Sequence, residues 1–110
     1  MTEPVSRTTL TDVPLQPAKL TEHIEVRRIR IAPNHAAGLH VHNGPVVGSV
    51  VEGSVVFQLE GRPESVLGPG DVFFEPEGAR IARFDAGDDG VTFLAFFLLA
   101  AGQQPELTFP

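Results

Sequence analysis

Short apolar segments separated by turn residues run through the whole chain. Val55, Phe57 and Leu59 occupy one parity of a segment whose other parity carries Gln58 and Glu60, the period-2 pattern of a half-buried strand. The segment Glu22 to Ala32 alternates in two phases, with Ile24 and Val26 on one face and Ile29 and Ile31 on the other. A slip of one residue sends side chains to the opposite face, so a bulge or a move between sheets is expected at Arg27-Arg28. Leu39 to His42 and Val46 to Val51 read as strand, split by Asn43-Gly44-Pro45, and Glu52-Gly53 is a hairpin signal. Further strands are expected at Glu64 to Leu67, Val72 to Glu75 and Arg80 to Phe84, divided by Gly68-Pro69-Gly70-Asp71 and Pro76-Glu77-Gly78. An acidic loop, Asp85 to Gly90, then leads into Val91 to Ala100, which is apolar at nearly every position, as in a strand covered on both faces. No longer stretch shows helical periodicity, and the pattern predicts an all-β sandwich or barrel.

Composition changes this picture in a few places. A chain of 110 residues suggests one domain. Residues 1–18 are polar and proline-containing and read as an extended arm, with a short strand near Arg7 to Leu10; residues 19–110 form the expected single barrel. The chain has no cysteine, which excludes disulfides, thiolate catalysis and cysteine metal ligands. The opening MTEPVSRTTLTDVP lacks the apolar core of a signal peptide, and Val91 to Ala101 is too short to span a bilayer as a helix. A cytoplasmic protein with no membrane partner is expected. Net charge is −6, and five of the eight basic residues fall in two clusters, Arg27, Arg28 and Arg30, then Arg80 and Arg83. No basic stripe interleaves with aromatics, so no nucleic-acid partner is expected. Such arginines read as a solvated strand face, or alternatively as a grip for an anionic ligand at a pocket mouth.

The candidate chemistry lies in GLHVHNGPVVGSVVEG, Gly38 to Gly53. His40 and His42 stand at i and i+2, so on a strand they point to the same face and can share one ion. Together with the turns, these histidines resemble the small single-domain cupins. That family carries a first motif, G-x5-H-x-H-x3,4-E-x6-G, and a second, G-x5-P-x-G-x2-H-x3-N. The second is met at Gly70, Pro76 and Gly78, with Ile81 where its histidine stands and Asp85 where its asparagine stands. The first is met at His40, His42 and Gly53, with Asn34 at its leading glycine and Val46 at its glutamate (Val47 under the longer spacing). The resemblance covers about Arg27 to Leu99.

The resemblance implies an antiparallel jelly-roll β-barrel with metal ligands pointing inward and a divalent ion whose identity the sequence leaves open. His40 and His42 are the expected metal ligands, and no organic cofactor is expected. Glu75 lies nearest to completing a 2-His-1-carboxylate set, but a carboxylate on a short strand is expected at the surface. His35, His23 and Glu52 are expected in solvent. No serine–histidine–carboxylate triad can be assembled, since Ser49 has the wrong strand parity. Two function classes stay open: a metal-dependent oxygenase or isomerase on a small organic substrate, and a metal-free ligand-binding or sensing module. In both a small molecule occupies the interior. A homodimer is expected, because the apolar last strand needs cover on its second face.

Overall fold

A computed structural model describes residues 4–110. Among these the chain is all-β and without helix. Its strands are β1 (His23–Ile31), β2 (Val41–His42), β3 (Val46–Leu59), β4 (Ser65–Leu67), β5 (Val72–Glu75), β6 (Ile81–Leu99) and β7 (Leu107–Thr108). All pairings are antiparallel. One sheet runs β1-β6-β3-β4, with β5 also on β3, and β2 pairs with β7.

Two long strands organise the barrel, and here the structure corrects the sequence reading. Glu52-Gly53 is not a hairpin and Asp85 to Gly90 is not a separating loop; both lie inside the continuous strands β3 and β6. The register between them slips at Val50/Glu52 and Gly53/Val55, so a turn-like glycine marks a bend within a strand. Gly53 has φ +77°, and a Cβ there would lie 2.0 Å from the Gly90 carbonyl oxygen. Gly90, also at positive φ, faces it. The extra β6 residues around exposed Asp88 and Asp89 are taken up at this bend, between Gly53↔Val91 and Val55↔Ala86.

The bulge expected at Arg27-Arg28 is also absent. β1 pairs with β6 without a slip from His23↔Leu99 to Ile31↔Val91. The phase change arises because Ile24 and Val26 lie on the outer face, 59% and 52% exposed, while Ile29 and Ile31 pack against the core. On β6 the inner face is buried, and Leu94, Phe96 and Leu98 on the outer face are half-buried. Arg7 to Leu10 form no strand, and only Val41 and His42 of the expected Leu39–His42 strand are in one.

The core is dominated by aromatic packing. Phe73, Phe84 and Phe93 meet pairwise with ring centroids 5.0–5.8 Å apart, and Phe57 joins Phe73 and Phe84. Gly48 makes room for this cluster: a Cβ there would sit 2.1 Å from the Phe73 ring.

Candidate metal centre

Asn34 to His40 run along the edge of β6. Backbone bonds join Asn34 to Gly87, His35 to Ala86 and Ala37 to Phe84. His40 and Ile81 exchange both backbone bonds, at 3.1 and 2.8 Å. The pairing fixes the backbone of His40, and β2 continues to His42, whose carbonyl accepts from the Gly78 amide. As the i, i+2 spacing predicts, the rings turn the same way, with centroids 5.0 Å apart and planes at 90°.

The third member is Glu75, and its placement overturns the surface expectation. Glu75 shares the inner face of β5 with Phe73 and is only 4% exposed. Its Oε1 lies 3.4 Å from His42 Nε2, and its Oε2 lies 3.8 Å from His40 Nε2. One ligand atom from each of the three residues lies within 4.8 Å of the other two. Glu75 pairs in register with Val46, where the family motif carries its glutamate. Side chains of paired residues share a face, so the carboxylate reaches the motif's location from the neighbouring strand. Two sequence signals could have found it: the parity shared with Phe73, and the missing carboxylate at Val46. His35, His23 and Glu52 are exposed, as expected, and take no part. Ile81, where the motif's second histidine stands, is fully buried beside His40 and offers no ligand.

Proton bookkeeping shows that these residues suit a cation. His40 Nδ1 lies 2.7 Å from the Gly38 carbonyl oxygen, which can only accept, so Nδ1 carries the hydrogen. In the neutral ring Nε2 is then a bare lone pair aimed at a carboxylate. Glu75 Oε2 is buried with no hydrogen-bond partner, a costly condition for an anionic oxygen. An ion between the three resolves both defects. Ligand atoms around a tetrahedral zinc at 2.0–2.2 Å lie about 3.3–3.6 Å from one another, a range that includes the 3.4 Å between His42 Nε2 and Glu75 Oε1.

Beside this group opens a cavity of about 350 Å³. Its walls are mostly apolar, with Ile29 and Ile31 from β1 and Phe93 and Phe97 from β6. The C-terminal segment supplies Pro105, Leu107 and Phe109 at one side. That segment is fastened by Asn43, whose Nδ2 donates to the Gln104 carbonyl and whose Oδ1 accepts from the Glu106 amide. Of the first arginine cluster, only Arg27 lines the cavity. Arg80 pairs with Glu60, and Arg83 with Asp85 and Glu64. Hydrogen bonds to Asp85 and then Glu64 raise the Arg83 pKa further above its already high ordinary value.

The family described as Cupin domain (Cupin_2) matches residues 27–97. No curated protein matches the chain. Among solved structures, one from work on the DMSP lyases RdDddP and RnDddQII is 28% identical, with a TM-score of 0.67 over 78% of this chain and 44% of that one. The DMSP lyase DddQ from Ruegeria pomeroyi DSS-3 is 24% identical, with a TM-score of 0.69 over 84% of this chain and 46% of that one. A cupin-2 domain, Rru_A2000 from Rhodospirillum rubrum, is 20% identical, with a TM-score of 0.66 over 79% and 56%. The chain thus spans about half the length of these structures. No helix among the described residues is long and apolar enough to cross a membrane.

Proposed function

This chain belongs to the cupin domain family, and from that premise we propose that it holds one divalent metal ion on His40, His42 and Glu75 and receives a small molecule in the adjoining cavity. The observation that carries this reading is the buried Glu75 carboxylate, which has an unpartnered oxygen and faces two imidazole nitrogens. Two histidines and one carboxylate leave open positions on most divalent ions. When bound, the ion would supply Lewis acidity and an anchoring point for ligand oxygen or nitrogen. The protein's residues do the rest: Gly38 holds the His40 tautomer, and Phe97 packs edge-on to the His42 ring at 6.2 Å. The mostly apolar walls offer water few hydrogen-bond partners in the cavity's interior.

Enzymatic use of that site, as an oxygenase, isomerase or lyase, is the next finer reading. The DMSP lyase neighbour at 28% identity supports a catalytic member of the fold. Elemental analysis of the purified protein, with melting curves before and after zinc, nickel, manganese or iron(II) addition, tests the proposed metal site. One equivalent of retained or reloadable metal with a raised Tm is expected. A tightly bound organic ligand, no metal and no Tm response would replace it with the metal-free binding module.

A further inference from the structure

We propose that the cavity takes a small organic acid with an apolar body, and that Arg27 receives its carboxylate. The inference deepens the reading of the cavity as a ligand site.

Arg27 lies on the inward parity of β1 with Ile29 and Ile31, whereas Arg28 and Arg30 lie on the other. Its guanidinium stands over the Phe97 ring, with Cζ 5.4 Å from the centroid. That stacking orients the planar fork. Glu25 engages only Nε, which leaves both terminal nitrogens without a protein partner among the described residues. Two parallel N–H groups on a fixed plane match a carboxylate bidentately. The Glu25 pair is half-exposed, and such pairs contribute little, so Glu25 does not quench the site.

The remaining lining sets the rest of the ligand. Arg27 is the cavity's only lysine or arginine, and its acids are Glu75 and the exposed Glu106. Glu75 faces the two histidines, so Glu106 is the acid free to repel an anion at the mouth. Ile29, Ile31 and Phe93 offer hydrocarbon and no hydrogen-bond partner. A volume of about 350 Å³ is at the small end of ligand pockets. Phe97 touches both Arg27 and His42, so a ligand held by Arg27 lies along the wall that leads to the metal group. A diacid's second carboxylate would meet hydrocarbon unless it reached the ion, so a monoacid with an apolar tail is the better fit.

The test is calorimetry on the full chain, with and without zinc, using butyrate, hexanoate and benzoate against hexanamide and benzamide. Binding of the carboxylates at least tenfold tighter than their amides is expected. Arg27→Gln should remove most of that preference, Arg27→Lys should restore part of it, and Arg28→Gln should leave it intact. Equal binding of acids and amides, an equal effect of Arg27→Gln and Arg28→Gln, or no binding of any probe would overturn the proposal. Zinc titrated alone into Arg27→Gln should bind as in the unmodified chain. Acid recognition that survives without any zinc binding would sink the metal reading and keep this one.

Discussion

Phe73 and Glu75 are neighbours on the same face of β5, and each is 4% exposed. Phe73 meets the rings of Phe57, Phe84 and Phe93. Glu75 meets two imidazoles and leaves one oxygen unpartnered. Equal burial thus serves opposite ends two residues apart. The filled part of the barrel gains from exclusion of water. The polar part carries an electrostatic cost in the unpartnered Glu75 oxygen, which a bound cation would offset. What separates a core position from a site position here is whether the buried group is satisfied by its neighbours, not how deeply it is buried.

The largest effect should come from the filled part. Phe73→Ala removes the ring that three others pack on, and a loss of about 3–5 kcal/mol is expected in chemical denaturation. Zinc should still raise the variant's Tm, because the three ligands are untouched.

The sign should reverse two residues along. In metal-free protein, Glu75→Leu removes an unsatisfied buried oxygen and should stabilise by about 1–3 kcal/mol. The same substitution should abolish the rise in Tm on zinc addition. A Glu75→Leu protein less stable than its metal-free parent would erase the contrast between the two positions.

The register pairing of Val46 with Glu75 allows a sharper exchange. Glu75→Val should lose metal binding, and adding Val46→Glu should restore it by moving the carboxylate to the motif's own strand. The single Val46→Glu variant would set two carboxylates side by side and should weaken the metal-free fold. Paired titrations of the three variants check this.

The smallest effect concerns the cavity's C-terminal edge. Asn43→Ala removes two side-chain hydrogen bonds to the backbone of Gln104 and Glu106, each of which contributes about 1 kcal/mol. Faster amide hydrogen exchange at Leu107 and Thr108 should result, with β3 and β6 unchanged. Uniform exchange across the chain would mean that the segment is not a local unit.

The period-2 patterns and turn residues were enough to read the all-β class. The spacing of His40 and His42 was enough to place both rings on one face. The extents of β3 and β6 were not legible, because Glu52-Gly53 and Asp85 to Gly90 have turn-like composition. In a long bent strand, glycine at positive φ and exposed acids mark a bulge as readily as a loop. Glu75 was misplaced for a related reason. Charge normally marks the outer face of a strand, and the burial of this carboxylate depends on the pairing of β5 with β3, a tertiary fact. Arg27 differs from Arg28 and Arg30 only by the phase of β1, which its apolar residues obscured by placing Ile24 and Val26 on the outside.

If His40, His42 and Glu75 together hold one ion, zinc binding depends on all three. Zinc calorimetry at neutral pH on the unmodified chain and on Glu75→Gln tests it most directly. One zinc per chain is expected, with binding lost or weakened at least tenfold in Glu75→Gln, His40→Ala and His42→Ala and unchanged in His35→Ala. Zinc binding that is indifferent to Glu75→Gln, or absent from the unmodified chain at millimolar metal, would contradict it.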